Sequence, residues 1–358
     1  MKNNNERPKL LYALQATGNG HISRACELIP IFKKYANVDV LMSGTSAELK
    51  LPFQVDYNFK GLSFTFGKNG GIDFIDTFKK VKFKPFLQAV TSLPVEKYDI
   101  IISDFEPVSA WACKLKGKKC IGISNQEAIK LPNIPKPKHS DKIGDFVIKN
   151  YAPTSEGYGF HFLPLAKTVF PPLVRSEIRN AIPETKEHYT IYLPAYDQKQ
   201  LLKFCKYFFY IEWEIFSKHT ETEYQDENAH IRPINKENFT ESLRTCKGFV
   251  CGAGFEAPAE ALFLGKKLLI IPMKNQYEQH YNAAGLEAVG ATVLKNIKSK
   301  RYEKIEKWLK KESPQPIKFE YSAHRLVQTI IQKYYATQKN TAKLEVEPLF
   351  FPNFEFGS

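Results

Sequence analysis

The sequence predicts an α/β protein with two doubly wound domains that face a central cleft. Strand-length apolar runs alternate with helical segments along most of the chain, which is the pattern of parallel sheets covered by helices. A glycine-rich turn joins a strand to a helix near the start of the chain and again in its second half. A chain of 358 residues is also too long to fold around a single ordinary core.

The first domain is predicted to open with a strand, a glycine turn and a helix. Leu10 to Leu14 is an apolar run, Gly18-Asn19-Gly20-His21 interrupts it, and residues 22–35 carry apolar side chains at helical spacing. Glycine tolerates the close backbone approach that such a turn requires. His21 is a candidate for proton transfer because its ordinary pKa lies near neutrality, and a capping or packing role is the alternative.

Two later strands of this domain each run into a polar segment. The apolar run 98–104 ends at Asp104, and Glu106 lies two residues further on. The run 120–124 is followed by Asn125 and Gln126. Ligands of doubly wound sheets collect at the carboxyl ends of strands, so these side chains are ligand candidates. Loop capping is the alternative for each of them.

Residues 248–284 predict strand, tight turn, helix, strand, loop and helix. The turn Gly252-Ala253-Gly254 precedes a helix whose free N–H groups favour an anion. Glu260 lies one turn into that helix, where a carboxylate can accept hydrogen bonds from ribose hydroxyls. The amides of Gln276, Gln279 and Asn282 are then placed to reach a sugar. A plain βαβ unit with a solvated Glu260 is the alternative.

The segment GAGFEAPAEALFLGKKLLIIPMKNQYEQHYNA resembles the donor-nucleotide region of GT-B glycosyltransferases. The similarity is to the branch that contains the lipid-linked GlcNAc transferase of peptidoglycan synthesis, described as family 28 or family 1-like. Ala257 and Ala259 stand where relatives often carry Ser or Thr. The resemblance implies two Rossmann-like domains and a donor site made of two glycine turns, a carboxylate and amides: Gly18, Gly20, Gly252, Ala253, Gly254, Phe255, Glu260, Gln276, Gln279 and Asn282.

The resemblance also implies roles at the first domain's sheet edge. The Gly-x-Gly-His turn makes His21 the candidate general base, or a donor to the substrate phosphate. This edge faces the acceptor in related transferases, which places Glu106, Asn125 and Gln126 on the acceptor side. Asp104 is the second candidate base, because of its position at the end of a strand. Replacing Glu260 by Ala is expected to weaken donor binding by about 1.5–3 kcal/mol, the range for hydrogen bonds to a charged group, and to leave the fold unaffected.

The function implied is transfer of a hexosyl group from a UDP-linked sugar to a hydroxyl acceptor, either lipid-linked or a cell-surface glycan precursor. Two helix N-termini and a basic cleft would stabilise the leaving diphosphate, so neither an essential metal nor another cofactor is expected. An epimerase or hydrolase of the same fold is the alternative enzyme. The net charge of +13 also fits a nucleic-acid-binding protein, which the donor motif makes the less favoured class.

Domain limits and location complete the expectations. We place an acceptor-side domain at residues 1–175, a donor domain at 176–338 with its last helix packing back on the first domain, and a tail at 339–358. No secretory signal or membrane span is evident, and six cysteines without a CxxC pair suit a reducing cytoplasm. Phenylalanines among lysines at residues 74–86 suggest peripheral docking on the anionic inner face of a membrane, or an ordinary amphipathic helix.

Overall fold

The chain folds around two seven-stranded sheets, in a computed structural model that describes residues 7–44, 51–60, 83–138, 142–274 and 276–335. The predicted tail and most of the Phe/Lys segment 74–86 lie outside these residues. The first sheet and its helices comprise β1 (Lys9–Gln15), α1 (Asn19–Tyr35), β2 (Asn37–Ser43), β3 (Tyr57–Phe59), α2 (Phe83–Ser92), β4 (Ile100–Asp104), α3 (Pro107–Leu115), β5 (Ile121–Ser124), α4 (Asn125–Ile129), α5 (Lys142–Asn150), β6 (Glu156–Phe160) and β7 (Val169–Phe170).

The second sheet repeats the alternation of strand and helix. Its elements are α6 (Ser176–Arg179), β8 (Tyr189–Tyr192), α7 (Gln198–Tyr207), β9 (Trp213–Ser217), β10 (Tyr224–Asp226), β11 (Ala229–Pro233), α8 (Lys236–Thr245), β12 (Gly248–Cys251), α9 (Glu256–Phe263), β13 (Lys267–Ile270), α10 (Tyr277–Ala288), β14 (Thr292–Val293), α11 (Tyr302–Leu309) and α12 (Ala323–Tyr334). The division at residues 175 and 176 stays a prediction, although it falls between β7 and β8.

Both sheets are parallel apart from one edge pairing. The orders are β3-β2-β1-β4-β5-β6-β7 and β10-β11-β9-β8-β12-β13-β14, with β10 antiparallel to β11. The order reverses beside β1 in the first sheet and beside β8 in the second. The loops after the two strands at a reversal diverge and leave a crevice at their carboxyl ends. His21 follows β1, Asp104 ends β4 and the turn 252–254 follows β12, so the sequence motifs lie at these crevices.

Apolar packing joins the two halves of the molecule. One buried cluster runs from β1 and α1 through β12 and α9 to α12. Phe162 of the first half contacts Phe255 of the second, with ring centroids 4.8 Å apart. The predicted return of the last helix is confirmed, because α12 packs against α1 and buries Leu326, Val327 and Ile330 there.

Candidate active site

His21 and Asp104 form a hydrogen-bonded pair at the carboxyl edge of the first sheet. His21 lies in the first turn of α1, and its Nδ1 is 2.8 Å from Oδ1 of Asp104. A carboxylate only accepts, so Nδ1–H donates, and in the neutral imidazole Nε2 carries the lone pair. Burial lowers the pKa of His21, but the charge and hydrogen bond of Asp104 outweigh it and hold the pKa above its ordinary value. The two candidate bases of the sequence analysis therefore form one hydrogen-bonded pair.

The backbone at the end of β4 buries Asp104 and turns sharply into α3. Asp104 is the backbone register partner of Leu14 in the parallel pairing of β4 with β1, and it is fully buried. Phe105 then takes a left-handed φ of 53°, which is uncommon outside glycine. Glu106 caps α3 by accepting hydrogen bonds from the backbone N–H groups of Val108 at 2.8 Å and Ser109 at 2.6 Å. Glu106 is also fully buried, so its predicted acceptor contact finds no support in this geometry.

Arg24 is a site residue that the sequence analysis missed. Its Nη1 donates to Oδ1 of Asp104 at 2.9 Å, and its Nη2 donates to Oε1 of Glu256 at 2.6 Å. The guanidinium carbon lies 5.0 Å from the ring centroid of Phe160. Arg24 follows His21 by three residues on α1 and therefore shares its helix face, which was the available signal.

The second glycine turn is braced by two of the predicted amides. Oε1 of Gln279 accepts from the backbone N–H of Ala253 at 3.2 Å and of Met273 at 2.9 Å. Asn282 donates to the carbonyl oxygen of Ala253 at 3.1 Å. Gln276 stands at the N-cap of α10, and its Oε1 is buried with no partner among the described residues. Gln279 and Asn282 thus shape the turn in this structure, and their contact with a donor stays a prediction.

Space is open beside one glycine of each turn, whereas the carboxylate of Glu256 occupies the space beside Gly20. A Cβ built at Gly18 or at Gly254 would meet no described atom within 4 Å, so a ligand can approach both backbones closely. At Gly252 the nearest atom is Oε1 of Gln279, 3.6 Å away. Phe255, by contrast, is buried against Phe162 and serves the packing between the two halves.

Glu260 is held by an arginine from the segment that links the sheets. Arg175 donates to it from Nε at 2.5 Å and from Nη2 at 2.8 Å, a bidentate geometry. The Glu260 side chain is 3% exposed, and burial raises its pKa against the opposing effect of Arg175. The expectation that Glu260→Ala leaves the fold unaffected is wrong on this geometry, because the substitution would leave the largely buried Arg175 without its carboxylate partner. Its contact with ribose stays a prediction.

Asn125 and Gln126 both point to one carboxylate of the second half. They donate to Oε1 and Oε2 of Glu278, at 2.8 Å and 2.9 Å respectively. Glu278 also raises the pKa of His21, which places it among the groups that act on the proposed base. The sequence analysis missed Glu278, although it precedes Gln279 in the motif that carried the resemblance.

The model of glycosyl transferase family 1 matches residues 8–312. The chain belongs to this family. It is therefore a glycosyltransferase, and the expectation of an enzyme of this class is confirmed. A search among curated proteins found no significant match to the sequence.

Solved structures show that this glycosyltransferase has the GT-B fold. A UDP-glucosyltransferase from Polygonum tinctorium capable of glucosylating indoxyl is 13% identical, with a TM-score of 0.55 over 94% of each chain. The glycotransferase of kitacinnamycin is 14% identical, with a TM-score of 0.53 over 92% of this chain and 95% of that one. MurG from Acinetobacter baumannii is 12% identical, with a TM-score of 0.52 over 91% of this chain and all of that one.

From the sequence we expect neither an essential metal ion nor a membrane-spanning helix. In the described ranges, no group of three or more His, Cys, Asp or Glu side chains is arranged to hold a metal ion. Metal-independent transfer stays a prediction. None of the helices in the described part of the chain is long and apolar enough to cross a bilayer.

Proposed function

We propose that the protein transfers a hexosyl group from a UDP-linked sugar to a hydroxyl acceptor, with His21 as the general base and Asp104 as its orienting partner. The observation that carries this is the 2.8 Å bond from Nδ1 of His21 to buried Asp104. It fixes the tautomer so that Nε2 can take the proton of an attacking hydroxyl, and the carboxylate stabilises the imidazolium that forms.

The donor's diphosphate is proposed to bind between the two glycine turns. Each turn leads into a helix N-terminus, where free N–H groups and the helix dipole favour a phosphate. Open space at Gly18 and Gly254 supports close approach of the ligand to both. A structural neighbour from Arabidopsis thaliana, 12% identical with a TM-score of 0.51, was solved in complex with UDP, so UDP is the first nucleotide to test.

Titration calorimetry with UDP, UDP-glucose, UDP-galactose, UDP-GlcNAc and GDP-mannose tests the donor. We expect UDP and at least one UDP-sugar to bind, and GDP-mannose to bind more weakly. Incubation of the bound donor without acceptor then separates transfer from the alternative enzymes, since an epimerase or hydrolase would consume it under these conditions. Absence of binding to every nucleotide would contradict the donor assignment.

A lipid-linked acceptor is proposed from apolar side chains exposed on the first domain. Leu87 of α2 is 56% exposed and Phe146 of α5 is 67% exposed, and the chain carries a net charge of +13. We expect the protein to sediment with vesicles containing anionic lipid at low salt, and less so at high salt because the charge attraction is screened.

Substitution separates this docking from non-specific adsorption. The double variant Leu87→Ser/Phe146→Ser should weaken sedimentation. Ile182→Ser should not, because Ile182, which is 81% exposed, lies in the chain segment that links the two sheets. If wild type stays in the supernatant at both salt concentrations, the acceptor is better sought among molecules free in solution.

A further inference from the structure

Arg24 lies between carboxylates that come from the two halves of the molecule. One of its nitrogens contacts Asp104 at the end of β4, and another contacts Glu256 at the start of α9. The side chain of Arg24 is 3% exposed and that of Asp104 is fully buried. Buried charges are costly unless each is paired. The state of Arg24 therefore depends on how closely the second half approaches the first.

The carboxylate of Glu256 reaches the backbone beside His21. A Cβ built at Gly20 would lie 2.2 Å from Oε2 of Glu256, so the missing side chain at position 20 is what makes room for it. The Glu256 side chain is 23% exposed and can leave this place more easily than Asp104 can. A group of the donor-side half thus sits against the first turn of α1.

His21 and Arg24 compete for the same atom. Both donate to Oδ1 of Asp104, while Oδ2 has no hydrogen-bond partner among the described residues. An arginine charge directed wholly at Asp104 weakens the hold of that carboxylate on a protonated His21. A second carboxylate on Arg24 draws part of this charge away.

We propose that Arg24 is a positioning residue that divides its charge between Asp104 and Glu256, so that contact between the two halves sets how strongly His21 holds a proton. The catalytic meaning of this coupling rests on the proposed function, in which His21 is the base. The contact of Glu256 with Arg24 draws guanidinium charge away from Asp104, leaves that carboxylate to serve His21, and strengthens the base. Loss of this contact weakens the base.

The groups around His21 give the sign of each effect. Burial lowers the pKa of His21, Asp104 raises it, Arg24 lowers it and Glu278 of α10 raises it. Tyr12 of β1 is buried near Asp104 and Arg24, and its own raised pKa keeps it neutral in this range. Removing the charge of Glu256 should therefore lower the pKa of His21, and removing the charge of Arg24 should raise it.

Proton NMR titration of the imidazole Hε1 signals of the full chain without ligand tests this directly. The chain has eight histidines, and the signal lost in His21→Gln identifies His21. We expect the pKa to fall by roughly 0.5–1 unit in Glu256→Gln and to rise by a similar amount in Arg24→Gln, as for charges a few ångströms apart in a partly buried site.

A double-mutant comparison shows whether Glu256 acts through Arg24. The shift caused by Glu256→Gln should shrink by at least half in an Arg24→Gln background. The shift caused by Glu278→Gln, the matched control, should keep its size in both backgrounds. If Arg24→Gln does not fold, Arg24→Lys replaces it, because a single ammonium lacks the fork that bridges two carboxylates.

The coupling is overturned if the Glu256→Gln shift is absent, has the opposite sign, or is equal in both backgrounds. These measurements need no substrate, so they can fail independently of the proposed function. If the shifts appear while His21→Ala retains turnover, the coupling stands and the base assignment is wrong. If His21→Ala abolishes turnover while the shifts do not appear, the base stands and the coupling is wrong.

Discussion

His21→Ala should lower the turnover number about 10²- to 10⁴-fold, the usual contribution of general-base catalysis, while affinity for UDP stays nearly unchanged. The loss follows because the attacking hydroxyl must give up a proton as the new glycosidic bond forms. UDP affinity should be retained because the proposed nucleotide contacts lie mainly on the second half of the chain. Steady-state kinetics with the UDP-sugar selected by calorimetry, together with UDP titration of the variant, measures both quantities.

The pH profile of kcat/KM identifies the group lost in this variant. Only a neutral imidazole can accept a proton, so the wild-type rate should fall as pH falls through the pKa of His21. That pKa stands above its ordinary value because Asp104 outweighs burial, so the acidic limb should lie at a higher pH than an unperturbed histidine would give. The limb should disappear in His21→Ala and persist in His324→Ala, an exposed histidine on α12.

Asp104→Asn separates the two members of the pair. Asp104 is fully buried and reaches solvent through neither oxygen, so we expect it to orient His21 rather than to meet the acceptor. Its replacement should lower turnover and also shift the acidic limb downward, because the stabilising charge on the imidazolium is gone. Near-normal turnover in His21→Ala combined with a large loss in Asp104→Asn would reverse the roles, and normal turnover in both would place the base elsewhere.

The sheets, and the sheet edge at which the candidate residues lie, could be predicted from sequence because both depend on local signals. An apolar run such as 98–104, buried throughout β4, identifies a strand of a parallel sheet, and glycines mark the turns that follow β1 and β12. Because ligands collect at strand ends, His21 and Asp104 could be predicted to lie at one edge of the sheet. The hydrogen bond between them could not.

Contacts between the halves could not be predicted in this way. Arg24 and Glu256 are 232 residues apart, and Asn125 and Glu278 are 153 apart. Their meeting depends on how one sheet is placed against the other, and no periodicity within either half encodes that placement. The same limit explains Glu260, whose helix position suggested a ligand and whose partner Arg175 comes from the linking segment.

Side chains that form hydrogen bonds with the protein's own backbone were a second limit on predicting ligand-binding residues from sequence. Glu106 has the residue type and strand-end position of a ligand, and so do Gln279 and Asn282. The structure uses Glu106 to cap α3 and uses the two amides to brace the turn at Ala253. Capping and ligand binding call for the same chemistry, because both satisfy hydrogen-bonding groups left free where regular structure ends.

Glu260→Ala should lower the free energy of unfolding by about 3 kcal/mol and also weaken UDP binding. The stability loss arises because Arg175, 16% exposed, would keep a charge without its bidentate partner. The affinity loss arises only if the carboxylate also accepts a hydrogen bond from ribose. Urea denaturation and UDP calorimetry measure the two effects separately.

The double variant Glu260→Leu/Arg175→Met distinguishes the two roles of Glu260. Replacing both members of a buried ion pair by apolar groups of similar size is often neutral for stability, so this variant should regain most of the unfolding free energy lost in Glu260→Ala. If Glu260 binds ribose, UDP affinity should stay low although the fold is restored. If UDP affinity returns to the wild-type value in the double variant, the carboxylate serves only to hold the linking segment against α9, and the ribose contact must be assigned to another residue.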